Sequence, residues 1–372
     1  MSRRRRRTPI LGNIAVIVFL SLFVSWTRAD DDSIIQIAIV ACGEARVEEA
    51  MVSIRSAIMS TTEPLTFHIF HDESNRLLFD LATMPATFHF YPARLPDTYA
   101  HLFAPCASQR LFLHDVLPHS IHRVLYVDSD TIFLDDVARL WKEFNQFSSV
   151  AAMAAEHEPS HQRAYYKDEA THPYYNQGGV HGLNSGVILL NLQKLRSDPW
   201  NEELDQFLAT YTLRYHDQDL LNLYFYHHPE RLHLLSCRWN YRTDHCFFRA
   251  HCPDVGPADS GEAAVIGLLH GSRGVFHLPP EDEWFVKVFA LTYETFVEET
   301  GKGCEHLTKS FETKAVAWIQ NVDPESITNN CQAIALPNIF VTLQGNCRRN
   351  KTKLQLDQLA LSRKGQGHHV EL

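Results

Sequence analysis

No two of the eight cysteines in this 372-residue chain form a Cys-x-x-Cys pair, which removes the commonest zinc-site pattern. No stretch repeats itself along the chain, which sets aside stacked-repeat architectures. Positive charge is scarce beyond the N-terminus. Six of the 34 Lys and Arg residues precede Asp30, while all 44 acidic residues lie at or after it. The body is therefore more acidic than the net charge of −10 conveys, and broad attraction to nucleic-acid phosphate is excluded. An anionic ligand would need a local cation, for which a metal ion is the economical choice. Apolar residues make up 45% of the chain, so the bulk of it is not disordered. The length suits one large α/β domain, or one domain with an appendage.

One long apolar run is present, Ile10–Trp26, preceded by Arg3–Arg7 and followed by Asp30 and Asp31. The charge order fits a signal anchor with a cytosolic N-terminus, made of a basic tail (1–9), a transmembrane helix (10–26) and a short stem (27–33). At 1.5 Å per residue the run spans roughly 25 Å. The alternative is a cleaved signal peptide, for which Thr27 and Ala29 are suitably small. Either reading delivers the body to the secretory lumen, in the Golgi or the ER. The chain ends in His369-Val370-Glu371-Leu372, which resembles an ER-retention tetrapeptide with Val370 in place of Asp and is compatible with a soluble retained form. In an oxidising lumen most cysteines pair. Disulfides are accordingly favoured over zinc for Cys237, Cys246 and Cys252, although eight cysteines allow roughly a hundred pairings. Cys42, in an apolar strand, is the candidate free core thiol. Asn350-Lys351-Thr352 is a glycosylation sequon.

The pattern from Ile34 onward reads as strand, Gly turn, helix: an apolar run over 34–41, a break at Cys42-Gly43, and helical spacing from Val47 to Met59. Further strands are expected at 65–71, 87–91, 122–134, 182–192 (running into a helix) and 264–271. Helices are expected from Ser108 to Val116, after the polar turn at 216, and beyond 281. Residues 156–183 read as an irregular segment over the site. This alternation predicts an α/β fold with a Rossmann-like, mixed, mostly parallel sheet and helices on both faces. It also predicts a domain over 34–280, a helical extension over 281–347 and a flexible tail over 348–372. Ligands of such sheets bind beyond the carboxyl ends of the strands, where Cys42-Gly43 and Asp128-Ser129-Asp130 fall.

Two carboxylates one residue apart at a strand end, Asp128 and Asp130, can converge on Mg²⁺ or Mn²⁺ and so neutralise a diphosphate. His270 ends a later apolar strand and can complete the set, since Mn²⁺ accepts nitrogen more readily than Mg²⁺ does. The small-residue loop after it, Gly271 to Gly274, can offer backbone N–H groups to phosphate, and Arg273 a charge-assisted contact. Asp217-Gln218 and Asn184-Ser185 read either as an N-cap and a turn, or as a sugar clamp. No second carboxylate cluster suggests a two-metal phosphohydrolase.

These segments together resemble the retaining glycosyltransferases of family eight, and more closely the glucoside xylosyltransferases of animals. The resemblance is carried by VACGE (40–44), PCASQRLFL (105–113), VLYVDSD (124–130), AAMAAEHE (151–158), HPYY (172–175), NSGV (184–187), DQDLLN (217–222), CRWNYRTDHC (237–246) and LHGSRGVFH (269–277). It implies a GT-A fold and a type II membrane protein that moves xylose from UDP-xylose to O-linked glucose on EGF-like repeats, such as those of Notch, in an alpha-1,3 link. It further implies Mn²⁺ (or Mg²⁺) on Asp128, Asp130 and His270, and uridine against Ala41, Cys42 and Gly43. Arg110, Ser129, Asn184, Ser185, Gly271, Arg273 and Gly274 would meet the donor, Asp217 and Gln218 would act at the sugar, and residues 239–244 would border the acceptor. The family's phosphate-loop lysine is missing. Position +6 from His270 is Phe276, leaving Arg273 or His277 to take that part. The alternatives to xylose transfer are a family member using UDP-glucose or UDP-galactose, and a non-catalytic luminal sugar-binding protein.

Overall fold

The computed structural model describes residues 34–102, 106–156, 172–247, 252–256, 265–277, 284–299, 304–320, 337–345 and 347. The apolar segment 10–26, the stem, the sequon, the tail and most of the irregular segment over the site lie outside these. Among the described residues no helix is long and apolar enough to cross a membrane.

The opening run forms strand β1 (Ile35–Ala41), and its apolarity, broken only by the part-buried Gln36, reflects burial on both faces. Helix α1 (Glu44–Ser60) follows, then β2 (Leu65–His71) and β3 (Thr87–Pro92). A 3₁₀ segment at Ala107–Phe112 leads into helix α2 (Leu113–Val116), which stops before Pro118. Next come β4 (Arg123–Asp128), β5 (Thr131–Phe133), α3 (Val137–Trp141) and β6 (Ala151–Ala155). The two-residue strands β7 (Asn176–Gln177) and β8 (Val180–His181) form a small hairpin ahead of β9 (Leu183–Asn191). Helices α4 (Leu192–Leu195), α5 (Trp200–Thr210) and α6 (Asp217–His227) precede β10 (Leu232–Leu235). After α7 (Asp244–Phe247) and β11 (Leu268–His270), the described chain is helical: α8 (Trp284–Glu298), α9 (Cys304–Gln320) and residues 337–345.

Seven strands form the main sheet in the order β10-β6-β9-β4-β1-β2-β3. β1 pairs in parallel with β2 and β4, β2 with β3, and β6 with β10, while β9 runs antiparallel to both β4 and β6. The expected mixed, mostly parallel α/β sheet is present. Alternate residues of β1 serve two cores. Ile35, Ile37 and Ile39 pack under α1 with Val47, Met51 and Ile54. Ala38 and Val40 face Phe112, Trp200 and Leu220 on the other side. Each large apolar side chain buried this way contributes about 1.5–3 kcal/mol. A third cluster joins Ile132, Leu269 and Phe276 to Phe289 and Phe311 of the C-terminal helices.

Two strands are shorter than their apolar runs suggested. The run 122–134 divides at Asp128, where the Thr131 hydroxyl donates to the Asp128 carbonyl at 2.9 Å. β5 then leaves the main sheet to pair antiparallel with β11. The run 264–271 contributes a strand only from Leu268. Gly267 before it is a close-packing point, because a Cβ there would sit 2.4 Å from the Trp239 ring.

Candidate active site

The loop after β1 turns at Gly43, whose φ of 86° favours glycine, and the Gly43 N–H donates to the Asp72 carboxylate at 2.8 Å. Ala41 is wholly buried in the core under α1. The expectation of a free thiol at Cys42 is overturned: Cys42 is disulfide-bonded to Cys106. The apolar strand ends one residue earlier, so the sulfur leaves the core half-buried and meets the chain 64 residues on. This bond fastens the end of β1 to the 3₁₀ segment that carries Arg110. Cys237 is bonded to Cys252. The Cys237, Cys252 and Asp254 group therefore offers no thiolates to zinc.

Arg110 is buried between two acids. Its Nη2 lies 2.9 Å from Asp128 Oδ1, and its Nε lies 2.9 Å from Asp217 Oδ2. Nη1 donates to the Ser185 carbonyl at 2.8 Å and to the Ser185 hydroxyl at 2.9 Å, and the guanidinium stacks 4.8 Å from the Tyr126 ring. Burial alone would lower the Arg110 pKa, but Asp128, Tyr126 and Asp217 drive it up, so the group stays charged. The Nε–H is directed at the Ala107 carbonyl, 3.0 Å away, so the buried Asp217 Oδ2 receives charge from Arg110 but no hydrogen bond. Burial raises the Asp217 pKa against the pull of Arg110. An unsatisfied acceptor at the rim of a site marks a place for a ligand donor such as a sugar hydroxyl. Beside it, the Gln218 carbonyl oxygen accepts from the Ser185 N–H and hydroxyl, both at 3.0 Å.

Asp128, Asp130 and His270 come together although 140 residues separate the last two. Their ligand atoms lie within 4.8 Å of one another. The His270 Nε2 is 3.6 Å from Asp128 Oδ2 and 3.5 Å from Asp130 Oδ1. The β5–β11 pairing sets His270 opposite Thr131, and the Gly271 N–H donates to the Asp130 carbonyl at 2.6 Å. Tyr126 donates to Asp128 Oδ1 at 2.6 Å, which with Arg110 leaves Oδ2 turned toward the imidazole. Burial would raise the Asp130 pKa, but His270 outweighs it and holds the carboxyl below its usual range. Gly186 seats the ring: a Cβ there would stand 2.1 Å from His270 Cε1. Two carboxylates and one imidazole with these spacings form a donor set suited to Mn²⁺ and compatible with Mg²⁺.

Ser129 is engaged by α1. Its hydroxyl donates to Glu49 Oε2 at 3.0 Å. Glu49, on α1, also meets Arg46 at 2.5 Å and His277 Nε2 at 2.8 Å. His277 is thus tied to α1, while Arg273 is half-exposed and lies 3.3 Å from Asp244. Gly271, Arg273 and Gly274 form the turn after His270, with φ of 65° at Arg273 and 71° at Gly274.

A buried polar network, largely unforeseen from sequence, lies behind the imidazole. His270 Nδ1 meets Asn240 Oδ1 at 2.8 Å, Asn240 donates to Asn184 Oδ1 at 2.8 Å, and Asn184 donates to Glu156 at 3.0 Å. Glu156 is paired with the fully buried Arg242, which also meets Asp244 at 3.0 Å. Asn240 and Arg242 lay within the segment expected to border an acceptor, and Glu156 ends a run of small residues. Glu156, Asn184, Asn240 and Arg242 also lie in segments that carry the family resemblance, AAMAAEHE, NSGV and CRWNYRTDHC.

A family model described as glycosyl transferase family 8 matches residues 37–246. The chain belongs to glycosyl transferase family 8. Within the family it is 40% identical over 266 residues to glucoside xylosyltransferase 1 of Gallus gallus, covering 65% of this chain and 59% of that protein. It is 37% identical to glucoside xylosyltransferase 2 of Mus musculus, covering 65% and 58%. The chain thus spans under two thirds of the length of these curated relatives. Among solved structures it resembles apo mouse xyloside xylosyltransferase 1 with a TM-score of 0.51 at 21% identity, covering 65% of this chain and 98% of that one. It resembles the galactosyltransferase LgtC bound to donor and acceptor sugar analogues with a TM-score of 0.52 at 18% identity, covering 70% and 96%. The two likenesses identify the family 8 fold as GT-A-like.

Proposed function

We propose that this family 8 protein is a retaining xylosyltransferase that moves xylose from UDP-xylose to O-linked glucose on EGF-like repeats, with Mn²⁺ held by Asp128, Asp130 and His270. The observation that carries the reading is the convergence of those three side chains, from the end of β4 in the main sheet, the turn after it and the end of β11 in the small second sheet, beside the carboxyl end of β1. The similarity to two glucoside xylosyltransferases supports the choice of sugar. A divalent cation bound there supplies positive charge to the diphosphate leaving group. Uridine would enter at Cys42 and Gly43, with the wholly buried Ala41 behind them. Arg110 holds Asp128, Asp217 and Ser185 in fixed relation and spreads its charge across the donor side of the site. Arg273 can leave Asp244 for a phosphate oxygen, which gives it the part of the missing lysine; His277 is already engaged by Glu49.

Asp217 Oδ2 is set to accept from a sugar hydroxyl, and Gln218, anchored to Ser185 through its carbonyl oxygen, stands next to it in the chain. Gln218 is a weak nucleophile, so a front-face displacement is the favoured route. The bond from C1 to the phosphate oxygen stretches, positive charge develops on the sugar ring, and the acceptor hydroxyl attacks from the same face. Its proton passes to the departing phosphate oxygen. Asp217, close to the ring, favours the positive charge. Residues 239–244 would border the acceptor. The disulfides Cys42–Cys106, Cys237–Cys252 and Cys304–Cys347 support an oxidising lumen, reached by the N-terminal segment as a type II anchor or a cleaved signal. Residues 34–280 are proposed as the catalytic unit, with the helices after 281 packed on it.

The test is the full chain with Mn²⁺, UDP-xylose, UDP-glucose or UDP-galactose, and an O-glucosylated EGF-like module, read by mass spectrometry. Addition of one pentose from UDP-xylose alone supports the reading. Transfer of a hexose would assign a different donor, and donor binding without transfer would assign a sugar-binding protein.

A further inference from the structure

We infer that Asn240 is a positioning residue for the metal-facing imidazole, fixing His270 in the tautomer that turns the Nε2 lone pair toward Asp128 and Asp130. The inference rests on the proposal that those two acids and His270 hold a divalent cation. The direction of every hydrogen bond in the relay follows from a backbone group, which has no ambiguity of orientation. The Gly186 N–H can only donate, and it meets Asn184 Oδ1 at 3.0 Å, so that atom is the carbonyl oxygen. The Asn184 amide NH₂ then faces the Glu156 carboxylate, which can only accept when ionised. Because Asn184 presents an oxygen to Asn240, Asn240 must present its NH₂ in return, at 2.8 Å. That leaves Asn240 Oδ1 against His270 Nδ1 at 2.8 Å. An amide oxygen cannot donate, so Nδ1 carries the proton. In the neutral ring Nε2 is then the lone-pair nitrogen, and it is the atom 3.6 and 3.5 Å from the two carboxylates. A lone pair facing two carboxylates is repulsive by itself and becomes favourable with a cation between them.

The relay is buried throughout: Asn240 is 1%, Asn184 6%, Glu156 1% and His270 3% exposed. Water is therefore a poor substitute for any lost partner. The relay also joins the end of β6, the start of β9, the 3₁₀ turn Cys237–Asn240 and the end of β11. The Glu156–Arg242 pair closes its far end.

The experiment measures Mn²⁺ binding to the full chain at saturating UDP, by the electron paramagnetic resonance signal of the free ion, with thermal unfolding as the check on folding. Asn240→Ala should weaken Mn²⁺ binding about 10–100-fold. Asn240→Asp, which keeps an acceptor opposite Nδ1 but sets its other oxygen against Asn184 Oδ1, should lose less Mn²⁺ affinity than Asn240→Ala. The double variant Asn240→Ala with His270→Ala should bind no more weakly than His270→Ala alone, because the first residue acts only through the second. Should Asn240→Ala fail to fold, Asn240→Ser enters the same comparison. Unchanged affinity in the folded Asn240 variant overturns the inference, as do losses that add in the double variant. If His270→Ala leaves Mn²⁺ binding unaltered, the metal assignment falls and this inference falls with it.

Discussion

Gly186→Ala should cripple the metal centre although Gly186 offers no side chain to it. The added Cβ would lie 2.1 Å from Cε1, 2.5 Å from Nδ1 and 2.7 Å from Nε2 of His270. The Gly186 backbone is outside the left-handed region, so alanine brings no backbone strain and the whole cost is steric. Ordinary carbon contacts begin near 3.4 Å, so the ring must move by more than about 1 Å. A shift of that size breaks the 2.8 Å bond to Asn240 and misaims Nε2. Overpacking of a tight site costs about 1–3 kcal/mol, opposite in sign to the roughly 0.4–1 kcal/mol gain of a tolerated Gly→Ala change. Loss of ring orientation should weaken Mn²⁺ binding about 10–100-fold. Calorimetric titration of Mn²⁺ in the presence of UDP, with denaturant unfolding of the same variant, reads both quantities. A Gly186→Ala chain with wild-type stability and wild-type Mn²⁺ affinity would refute the packing argument.

Asp130→Asn should abolish turnover and leave the unfolding midpoint near wild type, since it removes one ligand charge and little volume; activity and melting are measured together, and full activity would defeat the metal assignment. Arg110→Met should destabilise the chain by up to about 3–5 kcal/mol, because it leaves the buried Asp217 and the part-buried Asp128 without their cation; urea unfolding tests this. The paired change Cys42→Ser with Cys106→Ser should cost about 2–4 kcal/mol in the same assay, through the loop it reopens. His68 is buried beside His89, which pushes its pKa down to about 4. The unfolded chain therefore takes up this proton between pH 6.5 and 4 while the native chain does not. Stability from His68 is full above pH 6.5 and falls as the pH drops toward 4, by at most about 3 kcal/mol. His68→Gln should flatten that part of the stability profile in denaturant melts at stepped pH.

Much of the sheet was legible because β1, β2, β4 and β9 are largely buried on both faces and read as segments rich in apolar residues. The same property hid their ends. Apolarity continues through β5, so only the turn at Asp128-Ser129-Asp130, made by the Thr131 hydroxyl, reveals that one run is two strands in two sheets. The short β11 was overextended for a similar reason, since Val265 and Ile266 are buried without being paired. Asp128, Asp130 and His270 stood out as polar residues at the ends of apolar runs. Asn240, Glu156 and Glu49 did not, because their roles lie in partners far along the chain: 30 residues for Asn240 to His270 and 80 for Ser129 to Glu49. Such pairings leave no periodic trace. The misreading of Cys42 has the same origin, since nothing near it in sequence announces Cys106.

The most direct test is a crystal of the chain grown with Mn²⁺ and UDP, with anomalous scattering used to place the ion. The account predicts one strong peak at coordination distance, about 2.0–2.3 Å, from an oxygen of Asp128, an oxygen of Asp130 and Nε2 of His270, with diphosphate oxygens completing its shell. A peak held by other residues, or UDP bound at Gly43 with no ion among these three side chains, would contradict it.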